Sequence, residues 1–188
     1  MVKIGILSDT HITEKRGKLN EQIFDYFCDA DLILHAGDMT YQKVLDELNE
    51  IAPVIAVKGN NDKLELEMVE IIQISDFKIV LTHSTDFSGN FDKLYEFGRG
   101  YNADILITGH THKIHNEIIG EMLLVNPGSA RGRDASIAIL NIDEKDKLIT
   151  DIDINFLSNW QLEGFLLSDL VQYLFSSYKD IMNLQRRK

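Results

Sequence analysis

An α/β protein is expected from this chain on three grounds. Short apolar runs alternate with amphipathic segments from Val2 to Asp62. More closely spaced apolar runs follow from Glu70 onward. Most of the expected strands end in a cluster containing Gly, Asp, Asn or His, at the carboxyl end where α/β proteins gather ligand sites. The first alternation favours parallel strands joined by crossover helices.

Val2 to Leu7 has the length of a buried strand and runs into Ser8-Asp9-Thr10-His11. Gly17 to Asn20 reads as a loop, with Asn20 as N-cap of a helix that carries Ile23, Phe24 and Phe27 at helical spacing. Asp31 to His35 is the next strand, with Ala36-Gly37-Asp38 as its exit. Tyr41 to Asn49 is a second amphipathic helix, with Val44, Leu45 and Leu48 on one face. After Pro53, Val54 to Val57 is a third strand that ends in Lys58-Gly59-Asn60-Asn61-Asp62.

The pattern then changes. Glu70 to Ile74 and Phe77 to Leu81 read as two strands around a tight turn at Ser75-Asp76, the second ending at Thr82-His83. Ser84 to Asn90 is a polar loop and Phe91 to Phe97 a helix. Ile105 to Thr108 is a strand entering Gly109-His110-Thr111-His112, where the Gly permits a sharp turn. Short strands follow at Lys113 to Ile119, Met122 to Val125, Ser136 to Asn141 and Leu148 to Ile154, with a turn at Asn126-Pro127-Gly128-Ser129. From Asn159 to Gln185 the chain reads as helical, because Leu162, Leu166, Leu170, Leu174 and Tyr178 recur every fourth residue beside Leu167, Val171 and Phe175. That stripe reads as core packing, with dimerisation as the alternative. No repeat or linker divides the chain, so a single domain over residues 1–188 is expected, with a helical C-terminal extension over 155–188.

The net charge of -11 argues against a surface built for a nucleic-acid polymer, which is held by clustered Lys and Arg. It leaves a small phosphate substrate open, because bound divalent ions reverse the local sign. Cys28 is the only cysteine, so an internal disulfide is excluded and a reducing compartment fits. The N-terminal apolar run is too short for a signal peptide and no run has the length of a membrane span, so a cytoplasmic protein without a membrane partner is expected.

The candidate metal ligands are Asp9, His11, Asp38, Asn60, His83, His110 and His112. Imidazole nitrogen with carboxylate oxygen suits Mn, Fe, Co, Ni or Zn better than Ca or Mg. Without thiolate, a structural zinc knot is not expected. The set is too large for one ion and fits two that share a residue, since one carboxylate spans ions about 3.5–4 Å apart. Asp38, following a Gly in a tight exit loop, is the natural bridge. Two divalent ions outweigh Asp9, Asp38 and a bridging hydroxide by about one positive charge, which attracts an anion.

Other readings stand beside these. Asp9 and Asp38 could be helix N-caps, and Asn60 and Asn61 turn residues. By alternation His35 points away from the Asp38 loop, toward a hydrogen-bonded interior role. His115 is expected at the surface. Arg131 and Arg133 either steer phosphate or lie on a solvated loop.

Asp9-x-His11, Gly37-Asp38, Gly59-Asn60-x-Asp62, His83 and Gly109-His110-x-His112, in that order, resemble the calcineurin-like metallophosphoesterase superfamily. The short chain and the Asn126-Pro127-Gly128-Ser129 turn resemble its small single-domain phosphodiesterase branch in bacteria and archaea. The resemblance implies a four-layer αββα sandwich of two mixed β-sheets flanked by helices, with a dinuclear site at one end. It implies that Asp9, His11 and His112 bind the first ion, that Asp38 bridges, and that Asn60, His83 and His110 bind the second. Manganese is the foremost metal expected, with Ni, Fe, Co or Zn as alternatives. The reacting groups are expected to meet Asp38, Asn61 and His110, and the substrate to meet Asn61 and Arg131.

Two departures from the family pattern matter. Many members carry a His, thought to protonate the leaving group, where this chain has Asn61. An amide cannot act as a general acid, a role worth about 10²–10⁴-fold. Asp62, without a His to orient, is expected to hold the loop. Ser84 stands where the family usually has Gly, so the loop after His83 is expected to differ. The expected function is a metal-dependent phosphodiesterase in which a metal-bridging hydroxide attacks phosphorus. Its substrate would be a small cyclic or linear diester or a nucleotide derivative with an acidic leaving group. The alternatives are a phosphomonoesterase of the same fold, a metal sensor without turnover, or a protein-binding scaffold like the retromer subunit, which resembles these enzymes but has lost ligand histidines. Homo-oligomerisation is left open.

Overall fold

Side-chain alternation along β1, Val2–Leu7, sets the layering of the molecule, whose computed structural model describes residues 1–13, 17–87 and 89–157. Ile4 and Ile6 face one side of the strand, while Gly5 and Leu7 face the other. The chain continues through α1 (Glu21–Phe27), β2 (Leu32–His35), α2 (Lys43–Asn49) and β3 (Val54–Ala56). β1, β2 and β3 pair in parallel, as strands joined by crossover helices do. Asn20 caps α1, its side-chain oxygen accepting from the Gln22 N–H at 3.0 Å.

A second sheet follows, made of β4 (Val69–Ile74), β5 (Phe77–Thr82), β6 (Ile105–Ile107), β7 (Ile114–Ile119) and β8 (Met122–Pro127). Its order is β4-β5-β6-β8-β7, with α3 (Phe91–Gly100) crossing from β5 to β6. The chain then returns to the first sheet as β9 (Ser136–Asp143) and β10 (Leu148–Phe156), completing the order β10-β9-β1-β2-β3. Both sheets mix parallel and antiparallel pairs.

Three apolar clusters fix the layers. Ile4, Ile6, Leu34 and Leu140 of the first sheet meet Ile79, Leu81, Ile105, Ile107 and Val125 of the second between the sheets. Ile23 and Phe27 of α1 and Val44 and Leu48 of α2 cover the outer face of the first sheet. Leu94 of α3 packs on Val80, Leu106 and Leu124 of the second. The result is a four-layer αββα sandwich. Among the described residues no helix is long and apolar enough to cross a membrane.

Several boundaries differ from expectation. β8 runs through Asn126 and Pro127, with Pro127 opposite Ile114, so the turn begins at Gly128 with φ +83. A Pro at a strand end gives up little, because the ladder that would need its N–H is already closing. α3 continues past Phe97 to Gly100 despite the low helix propensity of Gly98. A Cβ at Gly98 would lie 2.2 Å from the Met122 sulfur, so close packing on the sheet selects the glycine there. His115 is not a surface residue but half-buried, its ring 4.9 Å from that of Phe91. Asn155 and Phe156, expected to open the C-terminal extension, belong to β10. The expected helix over Asn159 to Gln185 lies outside the described residues.

Gly5 lets Phe27 lie flat against β1, since a Cβ there would stand 2.8 Å from the ring. Gly5→Ala is therefore expected to lose about 1–3 kcal/mol in urea unfolding through overpacking. Combining it with Phe27→Leu should cost less than the sum of the two single changes.

Candidate metal centre

Parallel strands point their carboxyl ends the same way, and the stacking of the two sheets brings those ends together. The loop after β1 carries Asp9 and His11, that after β2 carries Asp38, and that after β3 carries Asn60, Asn61 and Asp62. From the second sheet, β5 delivers His83 and β6 delivers His110 and His112. All the sequence-nominated ligands thus meet at one end of the sandwich.

Left-handed backbone turns these side chains inward. Asp9, His11, Asp38, His110 and His112 have φ of 54°, 45°, 59°, 69° and 56°. That region costs a non-glycine residue about 1–2 kcal/mol, and Asp and His enter it more readily than most. Backbone bonds hold it: the Asp9 N–H donates to the Gly37 carbonyl and the His11 N–H to the Asp38 carbonyl, each at 2.9 Å. The sharp turn after β6 is made at His110, not at Gly109 as expected. Gly109 serves close approach instead, for a Cβ there would lie 2.0 Å from the Ser8 hydroxyl and 2.7 Å from the Ala36 carbonyl.

Asp9, His11 and His112 form one group. Asp9 Oδ1 lies 3.0 Å from His112 Nε2 and 3.7 Å from His11 Nε2, and the two Nε2 atoms are 3.4 Å apart. Asn60, His83 and His110 form another, with Asn60 Oδ1 at 3.2 Å from His83 Nε2 and 3.0 Å from His110 Nδ1. Asp38 Oδ2 stands between the groups, 3.8 Å from His11 Nε2 and 3.4 Å from His83 Nε2.

The chemistry of these donors fits divalent metal ions. His83 Nδ1 lies 2.6 Å from the Ala36 carbonyl oxygen, which can only accept, so Nδ1 carries the proton. His83 Nε2 then faces the oxygens of Asp38 and Asn60, at 3.4 and 3.2 Å, a nitrogen-and-oxygen donor set of the kind that divalent transition metals take. Donors about 2.1 Å from one ion lie about 3.0–3.4 Å from each other, and most of the separations above fall there. Two triads, Asp9-His11-His112 and Asp9-Asp38-His83, each keep one ligand atom per residue within 4.8 Å of the others.

Residues 2–145 match the calcineurin-like phosphoesterase superfamily domain. The chain belongs to that superfamily. A probable metallophosphoesterase of Methanocaldococcus jannaschii is 39% identical over 148 residues, covering 77% of each chain. A phosphodiesterase of the same archaeon is 29% identical over 163 residues, covering 78% of this chain and 95% of its own. Among solved structures, a Vps29 variant from Entamoeba histolytica superposes with a TM-score of 0.70 at 29% identity, covering 76% of this chain and 87% of that one. The chain is thus a metallophosphoesterase by family, and the ligand geometry described above is its candidate centre for divalent metal.

Supporting residues surround this candidate centre. Asp9 Oδ2 accepts from the Ser8 hydroxyl at 2.6 Å and the His110 N–H at 3.0 Å, leaving Oδ1 to the histidines. Ser129 donates to the Asp9 carbonyl at 3.0 Å and Asn126 to the Gly109 carbonyl at 2.8 Å. Sequence reasoning missed Ser8 and read Asn126 and Ser129 only as turn residues. Their signal was polarity beside a ligand motif at positions that a turn alone leaves exposed. Here all three are buried. His35 is fully buried, and desolvation followed by the nearby His83 drives its pKa down to about 3. The neutral ring accepts the Gly37 N–H at Nδ1 and shares Nε2 with the Thr10 hydroxyl, so it supports the loops without reaching the donors.

The departures from the family pattern also have structural consequences. Ser84, where the family usually has Gly, takes φ +61, the left-handed backbone that glycine favours. Asn61 gives Asp38 Oδ1 its backbone N–H at 2.7 Å and Oδ2 its amide at 2.6 Å. Burial acts to raise the Asp38 carboxyl, but these two bonds, with His83 and His11, outweigh it and hold the group below the usual carboxylate range. Arg131 donates to the His11 carbonyl at 3.0 Å, at the rim of the site.

Asp62 does hold the loop. Its carboxylate accepts the N–H groups of Asp38 at 2.9 Å, Thr40 at 2.6 Å and Gly59 at 2.8 Å. An unpaired buried donor costs about 1–3 kcal/mol. Asp62→Ala is therefore expected to lower unfolding stability by at least about 3 kcal/mol in urea titration. Asp62→Asn, which keeps one oxygen acceptor, should fall between it and the parent.

Proposed function

We propose that the chain is a phosphodiesterase working at a dinuclear site, with Asp9, His11 and His112 holding one divalent ion, Asn60, His83 and His110 the other, and Asp38 shared. The observation that carries this reading is the position of Asp38 Oδ2, within 3.8 Å of a histidine from each group. Manganese is the metal we put first, with Ni, Fe, Co or Zn as alternatives of the same ligand preference. Such ions supply positive charge to the phosphate oxygens and acidify the attacking water.

The chain's own residues set the rest of the chemistry. An amide has two N–H donors, and Asn61 gives one to Asp38, so its exposed side chain keeps a second for a phosphate oxygen. Arg131, fixed at the rim through the His11 carbonyl, brings the cation that an anionic substrate meets on entry. His110 is held by its N–H on Asp9 and turns its ring to Asn60, beside the place where charge develops on phosphorus. Asn61 cannot release a proton to the leaving group, so substrates whose leaving group departs as a stable anion are favoured. A diester with an acidic alcohol meets that requirement, and an alkyl monoester does not. A small cyclic or linear diester, or a nucleotide derivative, is the substrate class. The exposed free thiol of Cys28 fits a reducing compartment.

The named activity of the archaeal phosphodiesterase relative supports the diester assignment. The likeness to Vps29 supports a second reading, a binding scaffold without turnover. Hydrolysis of an aryl phosphodiester and its matched monoester by metal-stripped protein, with Mn, Ni, Zn or Mg restored singly, separates them. Metal-dependent turnover that favours the diester is expected. Equal or faster monoester turnover would assign a phosphomonoesterase. Tight metal binding without turnover of either would assign the scaffold or a sensor.

A further inference from the structure

Asn61 occupies both oxygens of Asp38, and this grip has a consequence for the metal centre that is separate from leaving-group chemistry. The backbone N–H reaches Oδ1 at 2.7 Å and the side-chain amide reaches Oδ2 at 2.6 Å, so one residue closes a two-point clamp on the carboxylate. A carboxylate free to rotate about its Cβ–Cγ bond would sweep its oxygens through many orientations. With both oxygens engaged, the plane is fixed, and Oδ2 is left between His11 Nε2 and His83 Nε2. The two carboxylate oxygens offer about four lone-pair sites; the clamp takes one on each and leaves one on each, so it is compatible with a carboxylate shared between two ions.

We infer that Asn61 is a positioning residue for the metal centre: it presets the Asp38 carboxylate as the shared ligand and thereby sets the affinity for divalent ions. Its neighbours make the clamp rigid. Asp62 ties the Asp38 N–H and the Gly59 N–H into the same carboxylate, at 2.9 and 2.8 Å, and so fixes the loop after β3 against the loop after β2. Gly59 presses against Asp38, for a Cβ there would fall 2.1 Å from Oδ1. The register between Asn61 and Asp38 is thus set from both sides. Ligand-supporting hydrogen bonds of this kind are worth about 10- to 100-fold in metal affinity. The inference rests on the metal reading of the site and goes beyond the substrate contact assigned to Asn61.

The test is metal affinity with no phosphate compound present. Asn61→Leu keeps the side chain's shape and removes its donor. Mn²⁺ binding measured by chelator competition is expected to weaken about 10- to 100-fold, and the visible spectrum of the Co²⁺-loaded protein to change. The metal-free variant should melt with the parent, since the Asn61 side chain is exposed. Should Asn61→Leu fold poorly, Asn61→Ala gives the same readout with less apolar surface. An affinity within about twofold of the parent, with an unchanged Co²⁺ spectrum, would overturn the clamp and leave Asn61 as a substrate contact alone. The result does not depend on turnover. Weakened metal binding in a protein that hydrolyses no diester would uphold the clamp while refuting the proposed activity.

Discussion

Carboxylate, amide and imidazole groups packed together at one end of two sheets are the constraint on which the rest of the structure depends. Asp9, Asp38 and Asn60 present oxygens to imidazole nitrogens at 3.0–3.8 Å. Carboxylate oxygens crowd one another there, and the Nδ1 proton of His83 is taken by the Ala36 carbonyl. The surrounding loops must therefore impose the geometry before any cation arrives. Two stacked sheets supply the rigid base, since the strand ends are pinned by the apolar layer of Ile6, Leu34, Leu81, Ile107 and Val125.

The loops meet that demand by combining strain with compensation. Turning the ligands inward places Asp9, His11, Asp38, His110 and His112 in left-handed backbone, at about 1–2 kcal/mol each. Ordered hydrogen bonds and missing side-chain volume offset it. The Asp62 carboxylate gathers three backbone N–H groups from two loops. Gly37 allows the His83 ring to lie where a Cβ would stand 2.7 Å from Nδ1. The tautomers follow from the same framework. His83 donates at Nδ1 to a carbonyl and exposes Nε2, while His35 accepts at Nδ1 from an N–H and turns Nε2 to a hydroxyl. Two buried imidazoles near one another thus take opposite roles because of what each Nδ1 meets.

This division explains what was legible in the amino-acid sequence. The candidate ligands were visible because Asp, Asn and His at successive strand ends are chemically conspicuous, and short apolar runs located the strands. The function of Asp62 was legible too, since a carboxylate left without a His to orient has backbone donors within reach. The supporting residues were obscured. Ser8, Asn126 and Ser129 have compositions ordinary for turns, and only the stacking of one sheet on the other shows that they reach Asp9 and Gly109. Gly109 was read for its freedom of φ and proved to matter for its volume, a distinction set by neighbours distant in sequence. The helix that begins at Phe91 runs on through Gly98 for the same reason, since Met122 of another element decides the residue there. Pro127 was read as the body of a turn because local propensity cannot know that Ile114 lies opposite.

Asn61 joins the two levels of the site. An imidazole at this position could carry a proton to a departing alcohol, whereas an amide can only donate hydrogen bonds and keep them. The sequence shows the loss of the proton, and the structure shows where the donors are used: on the carboxylate between the two histidine groups. Holding Asp38 and protonating a leaving group are different demands on one side chain. The first favours a short, fixed donor pair; the second favours a titrating group that reaches outward to substrate. With Asn61 the first is met, and on the proposed function the chemistry of the leaving group would pass to the substrate itself. On the proposed reading, that coupling would tie substrate class to the rigidity of the metal centre, because the residue that restricts what can be cleaved would be the one that keeps Asp38 in place.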